Sequence, residues 1–325
     1  MKKIYLIAPS FGCATEPYIT RLKEAIKNLK NKGFQIIEGP NIYLNKDKLA
    51  SNTKEERALE FINAYKSDTD IIMSVGGGEI MNEIIPLINF DELKQYKPKL
   101  FIGFSDNTNL TFTLAYKLGI KTIYGPCAPS FYDLSFDKLD TLKMINGELH
   151  FEGYDKWELD STKDPDNPLA KLNLTERKVL KSYNYNNGFD GILLGGCLDC
   201  IITLCGTKED TVREYVKDKK IIWFLEACDL SAVGIKRALY QLKSAGYFDT
   251  AEGFLIGRPL HYNENYCEYT NDEAVIDVLG DLNKPIILDV DLGHLPPSLP
   301  VLTNAHCKVK INDENNIVFD YQESY

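Results

Sequence analysis

The first half of the chain alternates short apolar runs with segments of helical periodicity. Apolar runs at residues 3–8, 34–38, 70–75, 99–102 and 122–124 predict strands that are buried on both faces. Segments with apolar residues every three or four positions separate them and predict amphipathic helices. Repeated strand–helix units of this kind are typical of a mostly parallel sheet covered on both sides.

Start and stop signals give the bounds of the predicted helices. Thr15 is expected to cap the first helix, and Gly33 to end it. Thr53 and Glu56 have the spacing of a capping box for the second helix. A short helix is expected from about Glu79, directly after three glycines.

The second half of the chain predicts a separate domain. The polar stretch at residues 154–187 interrupts the alternation, so we expect an α/β domain at 1–155, a crossing segment at 156–187 and a second domain at 188–325. The predicted fold is α/β: an amino-terminal doubly wound, mostly parallel sheet domain and a smaller, mixed α/β carboxy-terminal domain. In the second domain, strands are expected at 191–194, 221–225, 253–257 and 285–290, helices at 232–245 and 272–282, and a terminal hairpin at 307–311 and 317–321.

Composition narrows the class of protein. The 325 residues are 44% hydrophobic and 26% charged, as in soluble globular proteins. A net charge of −10 without a basic stripe argues against binding along a nucleic-acid backbone, although a small nucleotide ligand is compatible with it. No run is long enough to span a membrane, and the apolar run near the start is too short for a signal peptide. A cytoplasmic protein with a small-molecule substrate is the expectation.

The eight cysteines are expected to be thiols rather than disulfides, since the location is reducing. Cys197 and Cys200 form a C-x-x-C pair, but no second pair completes a zinc site, and Cys200 lies in an apolar, helix-like run. We therefore expect neither a metal nor a cofactor.

Ser105 stands at the turn between a predicted strand and a predicted helix, in the run Gly-Phe-Ser-Asp-Asn-Thr. A hydroxyl at such a turn is exposed at the sheet edge beside helix-start N–H groups, which suits a nucleophile. The alternative is that this Ser-Asp pair caps the helix.

Gly76, Gly77 and Gly78 follow another predicted strand. Glycines allow main-chain N–H groups to approach a ligand, either as oxyanion donors or as a phosphate cradle. Neither G-x-G-x-x-G nor G-x-x-x-x-G-K-[ST] is present, so the three glycines do not decide between these interpretations.

His294 and Glu226 are the candidate base and its orienting acid. His294 follows a predicted strand on a loop that Pro296 and Pro297 stiffen, and Glu226 ends another apolar strand. A buried carboxylate that accepts from Nδ1–H leaves Nε2 free to act as a base. The alternatives are a histidine that shapes its loop and an acid that caps the next helix; His261 is the reserve base.

Together these segments resemble the LD-carboxypeptidase family of serine peptidases. The resemblance rests on Ser105 in Gly-Phe-Ser-Asp-Asn-Thr, Glu226 in Trp-Phe-Leu-Glu-Ala and His294 in Leu-Gly-His-Leu-Pro-Pro-Ser-Leu-Pro. It implies a metal-independent hydrolase with Ser105 as nucleophile, His294 as general base and Glu226 as its orienter. It also implies an oxyanion hole from the N–H groups of Gly77 and Asp106, a site at a domain interface, and a homodimer.

The glycine loop is more similar to the microcin C self-immunity branch of that family, whose members cleave the amide between an aminoacyl group and a nucleotide-like toxin. An L,D-peptide bond of muropeptides is the other substrate that the resemblance implies. Trp157 is a candidate for stacking on a base, and Arg258 for binding a carboxylate or phosphate. An anchoring role for Trp157 and a structural ion pair for Arg258 are equally compatible with the sequence.

Two other functions are compatible with parts of the sequence. An α/β-hydrolase-type esterase has the same order of serine, acid and histidine, although the second glycine of G-x-S-x-G is missing. A non-catalytic nucleotide or sugar-phosphate binder would use Gly76, Gly77 and Gly78 as a cradle, with Ser105 as a phosphate contact.

Overall fold

The computed structural model describes residues 1–159 and 164–325, which form two compact units. The first unit comprises residues 1–142 and 164–171, and the second comprises residues 143–159 and 172–325. None of the helices in the described part of the chain has the length and apolar character that a membrane span requires.

The first unit is built on five parallel strands with helices between them. The strands pair in the order β2-β1-β3-β4-β5. Their bounds are β1 Lys3–Ile7, β2 Gln35–Glu38, β3 Ile71–Ser74, β4 Leu100–Gly103 and β5 Thr122–Tyr124, and the helices are α1 Tyr18–Asn31, α2 Lys54–Lys66, α3 Phe90–Leu93, α4 Thr108–Leu118 and α5 Phe136–Ile145.

The second unit contains an eight-stranded mixed sheet. Four central strands run parallel and each outer strand is antiparallel to the strand it pairs with, in the order β6-β16-β15-β10-β11-β12-β13-β9, while β7 and β8 form a separate ribbon. The strands are β6 His150–Glu152, β7 Lys156–Trp157, β8 Glu176–Arg177, β9 Lys181–Tyr183, β10 Phe189–Cys197, β11 Ile221–Glu226, β12 Ala251–Gly257, β13 Ile286–Val290, β14 Val301–Thr303, β15 His306–Ile311 and β16 Ile317–Tyr321, and the helices are α6 Leu198–Leu204, α7 Val212–Val216, α8 Ala232–Ser244 and α9 Asn271–Leu279.

The α/β class predicted from the apolar runs is confirmed. Every residue of β3, β4, β11 and β13 is buried, as expected for parallel strands with helices on both faces. The carboxyl ends of these four strands lead into the glycine run, Ser105, Glu226 and the loop of His294 respectively. Ligands of parallel sheets bind at such ends, so the fold places the candidate residues where chemistry is expected.

Several predicted bounds were wrong for local reasons. Thr15 does not cap α1; Pro17 takes the N-cap position, with no side-chain cap. The segment expected as an α-helix from Glu79 is a 3-10 helix at Met81–Leu87 that contains Pro86, which lacks an N–H for a regular helical hydrogen bond. The helix expected to reach residue 282 ends at Leu279 and continues as a short 3-10 turn.

Candidate active site

Ser105 has a strained backbone. It follows β4 directly after Phe104, begins the 3-10 turn Ser105–Asn107 that leads into α4, and has φ of 63°. A non-glycine residue in the left-handed region costs free energy and persists only where its surroundings hold it. Its N–H donates to the hydroxyl of Tyr124 at 3.1 Å. A sharp strand-to-helix turn with this conformation is typical of serine nucleophiles.

The glycine run passes directly against Ser105. A Cβ added to Gly77 would lie 3.2 Å from Cβ and 3.3 Å from Oγ of Ser105, and 3.9 Å from the main-chain nitrogen of Asp106. Asn107 fixes this approach by donating from Nδ2 to the carbonyl of Gly76 at 2.8 Å. A side chain on Gly78 would overlap the Ser10 hydroxyl. Glycine therefore suits this run, because the main chain lies close to Ser105 at Gly77 and against Ser10 at Gly78.

A buried carboxylate, that of Asp106, ties the serine turn to the segment after the glycines. It accepts from the Ser10 hydroxyl at 2.5 Å, from the main-chain N–H of Met81 at 2.9 Å and from Asn109 Nδ2 at 2.9 Å. Burial raises the pKa of Asp106, while these donors and Arg57 oppose the rise. Because these donors come from three separate segments, Asp106 holds the serine and the glycine run in a fixed relation.

We expect Asp106→Asn to lower kcat roughly 10- to 100-fold while KM changes little. The amide keeps one acceptor oxygen, so its NH₂ group would face a donor, either Asn109 Nδ2 or the Ser10 hydroxyl and Met81 N–H, in a buried place, and the fold would lose about 2 kcal/mol. Steady-state kinetics and urea unfolding measure the two effects. Asp91→Asn, at a surface ion pair with Lys94, is the matched control and should change neither. Unchanged kcat in folded Asp106→Asn would contradict a positioning role.

Glu226 and His294 form a hydrogen-bonded pair in the second unit. His294 Nδ1 lies 2.8 Å from Glu226 Oε2, with the carboxylate fully buried and the imidazole side chain 13% exposed. Gly293, with φ of 101°, allows the loop to turn here, because a Cβ at that position would lie 2.6 Å from Glu226 Oε2. The carboxylate is placed to fix the orientation and tautomer of the ring.

The pKa of His294 is raised well above its ordinary value. Burial alone lowers it, but the charge of Glu226 and hydrogen bonds to Cys228 and Glu226 together outweigh burial. The pair is thus arranged to accept a proton and to stabilise the resulting imidazolium.

Cys228 and Asp199 also belong to this site, and neither was among the candidate site residues. Asp199 accepts the main-chain N–H groups of Cys228 at 3.0 Å and Asp229 at 2.9 Å, and so holds the loop that follows Glu226. The only available signal was position, since Asp199 follows the carboxyl end of β10, beside that of β11.

Trp157 and Arg258 are both buried and packed against each other. The Arg258 guanidinium lies 4.8 Å from the ring centre of Trp157, and its Nη2 is 2.6 Å from Asp291 Oδ1. Trp157 Nε1 donates to the carbonyl of Arg177 at 3.1 Å, and its ring packs edge-on against Tyr262. These contacts favour the anchoring role and the structural ion pair over contact with substrate.

The reserve base and the proposed absence of metal concern the remaining candidates. His261, the reserve base, forms a surface pair with Glu264, with Nδ1 2.8 Å from Oε1. All eight cysteines are thiols. Within residues 1–159 and 164–325, no group of three or more histidine, cysteine, aspartate or glutamate side chains is arranged to hold a metal ion.

Comparison with known proteins identifies the family. The LD-carboxypeptidase N-terminal domain model matches residues 4–125, and the LD-carboxypeptidase C-terminal domain model matches residues 190–309. The microcin C7 self-immunity protein MccF of Escherichia coli is 27% identical over 93% of this chain and 89% of its own length. A probable murein peptide carboxypeptidase of Bacillus subtilis is 22% identical over 96% of this chain and 90% of its own length.

A solved structure of MccF in complex with glutamyl sulfamoyl guanosine has the same fold. It superposes with a TM-score of 0.84 at 24% identity and covers 100% of this chain and 97% of that one. With both family domains matched in order along the sequence, the chain belongs to the LD-carboxypeptidase family of serine peptidases, hydrolases of peptide-like bonds.

Proposed function

We propose that this protein is a serine hydrolase that cleaves the amide between an aminoacyl group and a nucleotide-like leaving group, with Ser105, His294 and Glu226 as its catalytic triad. The observation that carries the proposal is the strained backbone of Ser105, with φ of 63°, at a turn packed against Gly77. The buried pair of Glu226 and His294 supports it, since a nucleophilic serine needs a base and the base an orienting group.

In the proposed reaction, Ser105 Oγ attacks the substrate carbonyl and its proton passes to His294 Nε2. The N–H groups of Gly77 and Asp106 stabilise the negative charge on the carbonyl oxygen. The tetrahedral intermediate collapses, the C–N bond breaks, and the leaving nitrogen takes the proton from His294. A water molecule then gives a proton to His294 and attacks the acyl-enzyme ester. The ester C–O bond breaks, His294 returns the proton to Ser105 Oγ, and the acid is released.

The similarity to MccF favours the aminoacyl-nucleotide substrate, since the MccF complex contains an aminoacyl sulfamoyl nucleoside. The second candidate is a muropeptide L,D-peptide bond, which the similarity to the murein peptide carboxypeptidase favours. Contacts of the leaving group with Trp157 and Arg258 stay predictions. A homodimer is the proposed assembly, and light scattering of the purified protein measures it.

The test offers the two substrates side by side and follows the products by mass spectrometry. We expect release of the free amino acid from a panel of aminoacyl sulfamoyl adenosines and no release from the Ser105→Ala variant. Release of terminal D-alanine from an L,D-linked tetrapeptide instead would assign the second candidate function. Cleavage of neither substrate by folded protein would contradict both.

A further inference from the structure

A second feature of the carboxy-terminal unit is a pocket between its central sheet and two helices. The pocket is partly open to solvent and its lining is mainly apolar, as in many small-molecule sites. Its apolar wall consists of Ile235 and Leu239 from α8, Val275 from α9, and Leu225, Ile256 and Leu288 from the strands beneath. The proposed mechanism does not use this space.

One buried polar atom at the pocket has no partner. Asn271 lines the pocket, is 8% exposed, and turns Nδ2 towards the main-chain carbonyls of His261 and Tyr262. Among the residues described, none donates to its Oδ1. Buried carbonyl oxygens are almost always hydrogen-bonded, because leaving one unsatisfied costs free energy. A ligand that carries an N–H or O–H group would satisfy this oxygen.

The charges around the pocket favour a cation as that donor. Three carboxylates line it: Glu226, Asp272 and Asp289. Lys181 Nζ lies 2.7 Å from Asp272 Oδ2 and 2.9 Å from Asp289 Oδ2, so a single lysine forms ion pairs with two carboxylates. His294 is the partner of the third carboxylate, Glu226. Even with His294 protonated, three negative charges face two positive ones, and the excess attracts a positively charged group.

We propose that this pocket binds a small primary ammonium compound with a branched aliphatic group of about five carbons. The aliphatic group lies against the apolar wall, and the ammonium group donates to Asn271 Oδ1 near the carboxylates. Because Glu226 is part of the lining, an occupied pocket adjoins the acid that orients His294. The pocket shares Glu226 with the proposed triad, but binding of the amine does not require the proposed amide hydrolysis to occur.

Calorimetric titration of the full-length protein with isopentylamine at neutral pH tests the proposal, and isopentanol is the neutral isostere. We expect the amine to bind with a dissociation constant on the order of 1 mM and the alcohol to bind at least about tenfold more weakly. Equal binding of the two compounds, or no binding of the amine, would overturn the proposal.

Two variants locate the binding. Asn271→Leu removes the acceptor, and Val275→Phe fills the apolar end while leaving Asn271 in place; each should weaken amine binding at least about tenfold. Val179→Phe, at an exposed valine of the same unit, is the control and should bind as the wild type does. Circular dichroism establishes that each variant is folded. Undiminished binding by folded Val275→Phe would place the amine elsewhere and refute the assignment. These titrations need no turnover, so their failure leaves the proposed hydrolysis untouched.

Discussion

Ser105→Ala should lower kcat by roughly 10⁴-fold or more. The hydroxyl is the proposed nucleophile, and nothing else at that turn can form the acyl-enzyme. His294→Ala should cost about as much, and the double variant little more, because the two side chains act in one step. Steady-state kinetics on the substrate identified by mass spectrometry gives these values.

Covalent labelling provides an independent readout of the same prediction. A phosphonate ester should modify Ser105 in the wild type, and Ser105→Ala should remain unlabelled. Ser135→Ala, at a serine of the same unit whose hydroxyl donates to Asp133, is the control and should keep normal turnover. Near-normal kcat in folded Ser105→Ala would eliminate the serine mechanism.

Glu226→Gln should lower kcat by roughly 10³-fold and also shift the pH profile to lower pH. In the wild type the pKa of His294 is raised, so the neutral base becomes abundant only as the pH rises well above 6.5, and kcat/KM should increase along that limb. Without the charge of Glu226, only Cys228 opposes the effect of burial, so the pKa of His294 falls below its wild-type value. The rising limb of the variant therefore lies at lower pH.

The same pair links stability to pH. A histidine whose pKa is raised by folding contributes stability that is complete below its unfolded pKa, about 6.5, and is lost as the pH rises through its folded value. The free energy of unfolding of the wild type should therefore fall over this range, and that of Glu226→Gln should fall less, since His150 keeps its own raised pKa in the variant. Urea unfolding at a series of pH values measures the difference.

Glu264→Gln is the matched control, because Glu264 forms the same contact with His261 at the surface. It should leave both the rate and the pH profile unchanged. A shifted limb in Glu264→Gln together with a normal one in Glu226→Gln would instead identify His261 as the base.

Local sequence was sufficient to identify the candidate chemistry. Serine, acid and histidine each follow an apolar run, and the structure shows the pair of Glu226 and His294 in contact across 68 residues. The strand ends could be predicted because a strand buried on both faces has a continuous apolar sequence, which marks its carboxyl end. Two of the three wrong bounds lie at prolines, since Pro17 occupies the N-cap of one helix and Pro86 lies inside a 3-10 helix.

Several contributors to the site were invisible in the sequence because their partners are distant. Ser10 contacts Asp106 across 96 residues, and nothing near Ser10 indicates this. Asp199 holds the loop after Glu226 only because β10 and β11 are neighbours in the sheet. Trp157 and Arg258 are residue types that often contact ligands, but the sequence does not show that the two side chains pack against each other.

The sequence alone determined the α/β class, the strand ends where the candidate residues lie, and the residue types that point to serine chemistry. These follow from hydrophobic periodicity and from the intrinsic reactivity of side chains, both of which are local. Only the tertiary structure decided the strained backbone of Ser105, the raised pKa of His294, the hydrogen bonds that Asp106 accepts and the unsatisfied oxygen of Asn271. Each of these depends on burial and on partners from other segments, which a linear pattern does not contain.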